Sequence, residues 1–410
     1  MRLYEKKSLD GILLVLIFVL FSICPAFSMP ETLIDEELNG NELEIINLEV
    51  PQKNLKDIIE ENSKKDIDDS INVAKTKKRQ NLLNLFRERG YQFEKGPIKS
   101  QRISFYTHGG VLMESQRDKD FSSRMQHASN ELSLSTVFAN EKTRLEIAYN
   151  FTKTREYNDT IWGKFSYFEV IHTFNKHQML EIGGLRVPNG YEGGSPSSQL
   201  HFLNRSQIAR TYGNGSAFGV RNRGDYKYLF YDVSFTDGSR FWQEMLGGAE
   251  ITALASIKPL AKFGDKYGTL KIGGSIDHGR SHDQDFSVVG GHIMYKYKKF
   301  YWDTEYQYAN NYAGGWYGRG KSHGLYTNIG YFVTPKIELL ARYDFFQKLD
   351  NHNVSTEYTA GINYYITPVA KVMLNYILST NDKKPAPTHK IYMGVDFKYY
   401  SLLDKVIENL

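Results

Sequence analysis

A two-residue rhythm in the last quarter of the chain restricts its fold more than any other feature. Between Ser322 and Tyr400 the sequence divides into HGLYTNIGYFV, KIELLARYDFF, EYTAGINYYI, VAKVMLNYIL and HKIYMGVDFKYY. In the second run, Ile337, Leu339, Ala341, Tyr343 and Phe345 alternate with Glu338, Arg342 and Asp344. In the last, Ile391, Met393, Val395, Phe397 and Tyr399 alternate with Lys390, Asp396 and Lys398. Successive side chains of an extended chain point to opposite faces, so each run predicts a strand with one apolar and one polar face. Runs of about 9–11 residues suit a strand that crosses a bilayer at a tilt.

The connections sharpen this. Val333-Thr-Pro-Lys336 and Ile366-Thr-Pro-Val369 are tight turns in which Pro presets the bend, whereas Gln347–Thr356 and Ser379–Thr388 are longer and polar. Short turns alternating with long loops predict an all-β fold, a transmembrane antiparallel β-barrel of the outer membrane. From Gln101 onward about sixteen strands can be laid down, opening with Arg102–Met113, a long polar link and Glu131–Phe138. Short turns are expected at Asn140–Thr143, Asn175–His177, Asn222–Asp225 and Lys298–Lys299, with Pro259–Gly268 a longer link on the same side. Trp162, Tyr297, Trp302, Tyr399 and Tyr400 fit interfacial girdles. An even strand number puts both barrel ends on the periplasmic side.

The barrel is expected over residues 97–400. Ahead of it, residues 1–28 have the form of a signal peptide, with Arg2, Lys6 and Lys7 before an apolar core and Ala26-Phe27-Ser28 at the cleavage positions. Cys24 is the single cysteine, so the mature chain holds no disulfide. Residues 29–96 begin acidic and continue in a helical pattern over Lys53–Arg89. They suit a periplasmic coiled coil, a tail that contacts the cell wall, or equally a partly disordered solvated linker, since no heptad persists for three repeats. A tail, residues 401–410, runs past the aromatic end at Tyr400. Outside the amino terminus no apolar run is long enough for a helical span. His278, His282 and His292 lack metal-ligand spacing, no phosphate-cradling Gly loop precedes a helix, and no nucleic-acid motif is present. Neither a metal nor another cofactor is therefore expected.

A barrel of this strand number encloses an aqueous channel. The longest loop, Val187 to Gly215, carries Gly, Ser and Pro for sharp folding, and Leu200, Phe202, Leu203 and Ile208 to pack inward, so it is the expected constriction. Gly183-Gly-Leu-Arg-Val-Pro188, Ser197-Ser198, Leu203-Asn-Arg-Ser206, Arg210 and Gly213 resemble the signature of the phosphate-selective porin O and P family. Arg186 stands where that pattern has Lys, and Asn204 where it has an acidic residue. The resemblance implies a homotrimeric outer-membrane porin, set among lipid and lipopolysaccharide, that passes small anions, phosphate among them. Its matching residues are Arg186, Arg205 and Arg210, with Arg221 extending the basic track and Arg223 falling in the expected turn.

Net charge agrees in sign. The chain is +4, and residues 97–410 alone carry +7, a balance that concentrates anions in a confined channel. Lumen-facing Glu146, Asp303, Glu305, Glu338 and Asp344 temper it. Each arginine could instead hold the loop to the wall through a salt bridge. Two rival classes remain. His127-Ala-Ser129-Asn130 resembles the His-x-Ser-Asn motif of outer-membrane phospholipases, in which His activates a Ser nucleophile. A structural barrel tethering membrane to wall is the other. A non-enzymatic passive channel is the reading the sequence favours.

Overall fold

The computed structural model describes residues 90–117, 121–151, 165–213, 215–238, 248–281, 284–312, 320–384 and 386–398. The expected signal peptide, nearly all of residues 29–96, the girdle residues Trp162, Tyr399 and Tyr400, and the tail 401–410 lie outside these.

A two-residue strand, β1 (Tyr91–Gln92), opens the described chain. Sixteen longer ones follow: β2 (Ile98–Gln116), β3 (Ser122–Phe138), β4 (Thr143–Asn150), β5 (Phe165–Asn175), β6 (Gln178–Arg186), β7 (Ser216–Asp225), β8 (Leu229–Thr236) and β9 (Gly248–Ile257) in the first half. The second half holds β10 (Thr269–Ser281), β11 (Gln284–Tyr297), β12 (Phe300–Asn310), β13 (Lys321–Thr334), β14 (Ile337–Lys348), β15 (Asn353–Thr367), β16 (Ala370–Asn381) and β17 (Thr388–Lys398). Each of the sixteen pairs antiparallel with its sequence neighbour, and β17 returns to β2 in register from Thr388↔Gln116 to Lys398↔Tyr106. The ring is closed, so no edge strand leaves backbone groups unpaired in lipid. β1 adds to the free end of β2 below this seam, pairing Tyr91 with Gln101.

Burial is inverted relative to a soluble protein. Val170, Ile182, Val233, Ile251, Ile272, Ile329, Leu339, Ile362 and Leu374 are exposed, while Glu338, Asp344, Asn363, Asn375, Asp277 and Glu305 are buried on the opposite face. Apolar side chains outward and polar ones inward are what a bilayer outside and a wet interior require. The short turns follow from side chains that satisfy the backbone. Asn140 Oδ1 accepts from the N–H of Lys142 and Thr143, and Thr334 Oγ1 from those of Lys336 and Ile337. Asn175 and Thr367 cap their turns likewise. The longer link after β9 is a run of 3₁₀ helix, Pro259–Tyr267.

Three boundaries differ from expectation. The long link expected at Gln347–Thr356 is only Leu349–His352, because β14 runs to Lys348 and β15 starts at Asn353, pairing directly with it. The polar link after the first strand is largely strand, because β2 reaches Gln116 and β3 begins at Ser122. Polar residues extend a ladder freely once it has left the hydrocarbon. The turn expected at Asn222–Asp225 is also strand, and Tyr226 N–H donates to Leu229 O to close the bend three residues later. Arg223 therefore shares the inward face with Arg221, where cross-strand bonds of both arginines to Asp232 carry the ladder on.

Candidate functional site

The loop from β6 to β7, residues 187–215, is the longest connection and, among its described residues, holds two short α-helices, α1 (Tyr191–Gly194) and α2 (Gln207–Thr211), with a 3₁₀ turn, Ser197–Gln199, between them. Ser206 caps α2, its hydroxyl accepting from Ala209 N–H at 3.3 Å. Pro188, Pro196 and Gly190 provide the sharp folding. Gly190 has φ +70°, and a Cβ there would lie 2.3 Å from Gln307 Nε2, so only glycine fits.

The loop is rooted on β6 and β7 but bonds to strands across the ring. Gln207 N–H donates to Asp344 Oδ2 on β14 at 2.7 Å, and Leu203 N–H to Asn375 Oδ1 on β16 at 3.0 Å. Asn363 on β15 donates to His201 O at 2.8 Å, and Lys371 on β16 to Leu200 O at 2.6 Å. Tyr191 N–H donates to Glu305 Oε1 on β12, and Asn189 Nδ2 to Asp277 Oδ2 on β10. These partners all belong to the buried polar face, and β14 and β15 lie opposite β6 and β7 in the strand order. A segment joining those arcs on that face runs through the barrel interior.

Apolar contacts follow the same path. Leu203 packs with Leu112, Met373 and Tyr392, and Phe202 with Tyr301 and Leu340. Ile208 and Tyr212 join Phe286, Val288, Tyr326 and Phe346. The inward-packing residues expected from the sequence, Leu200, Phe202, Leu203 and Ile208, are all buried. Burying them is worth roughly 1.5–3 kcal/mol each, which offsets the cost of ordering a long loop.

The four candidate arginines meet different partners. Arg221 is buried and bonds both Asp232 and Glu181, so its charge is met by two carboxylates. Arg210 donates to Glu357 Oε2 at 2.8 Å and to Arg205 O at 2.8 Å. Arg205 is buried within the loop and donates to backbone carbonyls, those of Glu192 and Ser195 at 2.7 Å for the latter. Arg186 is half-buried at the end of β6, where the loop begins, within electrostatic reach of Arg205 and Glu131.

One hub went unnoticed in the sequence. Arg342, on β14, donates to Glu192, to Asn204 O at 2.9 Å and to Asn328 Oδ1 at 2.6 Å, and stacks on Phe202 with 4.2 Å to the ring centre. Its only signal was a lone Arg between Glu338 and Asp344 on a polar strand face. Burial pushes the Glu192 carboxyl up, but Arg342 and then the Ser206 donors more than reverse this, so its pKa lies below the ordinary carboxylate value. Ser129, of the hydrolase-like motif, donates to Glu131 Oε1 at 2.9 Å and accepts from Asn150. The His127 side chain lies outside the described residues. Among the described residues no group of His, Cys, Asp and Glu is placed to hold a metal ion.

Residues 269–400 match the family model of phosphate-selective porin O and P. That is the terminal meander with the three strands before it, not the loop motif that first suggested the family. No curated protein matches the chain significantly. Among solved structures, the anion-selective porin from Comamonas acidovorans superposes with a TM-score of 0.53 at 9% identity, covering 73% of this chain and 99% of that one. OmpT of Vibrio cholerae gives 0.50 at 10% identity, covering 75% and 100%. The outer-membrane channel DcaP of Acinetobacter baumannii gives 0.50 at 11%, covering 76% and 99%. At such identities the likeness is one of fold. Over residues 269–400 this chain is similar to the phosphate-selective porin O and P family, and its fold is the closed antiparallel β-barrel that outer-membrane porins share.

Proposed function

We propose that the protein is a passive diffusion channel for small anions, with the loop 187–215 as its constriction. The observation that carries this reading is the loop's path: it leaves β6, crosses the interior and bonds to the opposite wall, which narrows a channel without a moving part. An anion preference is supported by the basic barrel, +7 over residues 97–410, and by Arg186 and Arg205. Two guanidinium charges within reach of each other repel, and an anion between them relieves that repulsion. Arg205 adds to this because its bonds go to neutral carbonyls. Arg210 and Arg221, each bonded to carboxylate, contribute less field and more loop and wall stability.

As the sequence resemblance implies, the channel works as a homotrimer in lipopolysaccharide-containing membrane, and phosphate is among its anions. The test is reconstitution of the purified protein in planar bilayers under a salt gradient. The reading expects open-channel steps and a reversal potential on the anion side, with Arg186→Gln moving it toward cations. Added phosphate should compete with chloride current. A barrel that inserts without conducting is the structural tether instead.

A further inference from the structure

The loop covers its side of the ring so fully that carboxylates there are sealed: Glu338, Asp344 and Glu305 are 0, 1 and 2% exposed. Across the interior, on β3 to β5, inward side chains remain half-buried: Ser133, Ser135, Arg144, Glu146, Tyr167 and Glu169. Arg144 and Glu146 keep 36% and 23% of their side-chain surface. Solvent therefore reaches this arc, and its charges face whatever passes the loop.

Two carboxyls of this arc lie side by side. Glu146 forms an ion pair with Arg144, 2.9 Å apart. Glu146 also sits directly opposite Glu169 in the β4–β5 ladder, and like charges at that spacing destabilise each other. Arg221 and Arg223 are within electrostatic reach of Glu169 but bond to Asp232, and Arg221 also to Glu181, so neither bonds Glu169 itself. One Glu169 oxygen, Oε2, is buried with no hydrogen-bond partner. The half-buried carboxyl gains from a counter-ion in the adjoining passage through its field rather than by contact.

We propose that Glu169, with Glu146 across the ladder, is a specificity-determining pair of the passage, drawing cations and so moderating the anion preference that the basic barrel sets. It rests on the channel reading and deepens it: the basic barrel gathers anions at the mouth, and this pair limits how far they are favoured. Solutes carrying both charge signs meet an arginine on the loop side and a carboxylate on the wall.

The experiment is the chloride-to-potassium permeability ratio of the full-length mature protein in planar bilayers at pH 9. Glu146→Gln with Glu169→Gln should raise the ratio by about twofold or more, and Glu169→Lys alone should raise it at least as far. Glu141→Gln, in the exposed turn before β4, should leave it unchanged. A ratio that stays put in both variants, with single-channel conductance preserved, overturns the pair's role while leaving the channel intact. Absence of conductance in the parent protein overturns the channel reading itself.

Discussion

Arg342 shows how much of the loop's position depends on single buried charges. It satisfies Glu192, the Asn204 carbonyl and Asn328 together, and both ionic partners are nearly sealed from water, at 4% and 8% exposed. Removing one partner of such a pair strands the other. Arg342→Met should cost about 3–5 kcal/mol, read as a fall in the urea midpoint of protein refolded in detergent. Adding Glu192→Gln should recover most of it, since no carboxylate is then left uncompensated. The same pair sets a pH dependence. Because the Glu192 pKa is depressed on folding, its stabilising contribution is present at neutral pH. It is lost as the pH falls below the ordinary value near 4.5 and through the folded one. The stability gap between wild type and Glu192→Gln should close over that range and be constant above it.

At the scale of elements, the loop is pinned by polar bonds to strands on the opposite wall and by three apolar anchor points. Leu203 and Ile208 anchor two of these, at 1% and 0% exposed. Replacing both with Ser puts hydroxyls into apolar clusters while leaving the strands untouched. The expected outcome is higher single-channel conductance with added current noise, measured beside an unchanged far-ultraviolet circular dichroism spectrum. A conductance equal to wild type would mean that the loop does not bound the narrowest section. The elements themselves were legible in the sequence because alternation, turn caps and loop lengths are local properties. Thr334, Thr367, Asn140 and Asn175 announce their turns without reference to the rest of the fold. The chemistry of the arginines was not legible. Whether Arg221 faces an anion or Asp232 depends on a register between two strands, and Arg342 matters through residues 150 positions away in sequence. The turn misplaced at Asn222–Asp225 belongs to the same class, since cross-strand arginine bonds kept the ladder going.

For the whole molecule the question is how a net charge of +7 over residues 97–410 becomes selectivity when so many interior charges are matched. Ion pairs such as Arg210–Glu357, Arg221–Asp232 and Arg342–Glu192 cancel at short range. A passing ion feels them as dipoles. What survives is the excess charge spread over the wall and loops, which acts over distances comparable to the Debye length, about 10 Å at 0.1 M salt and about 3 Å at 1 M. An anion preference made by that long-range field must fade with salt, whereas one made by a tight local site persists. The anion-to-cation permeability ratio should therefore exceed unity in gradients centred near 0.1 M and approach unity near 1 M. A ratio that holds its value across that tenfold range would shift the selectivity onto a contact site, with Arg186 and Arg205 as the first pair to neutralise.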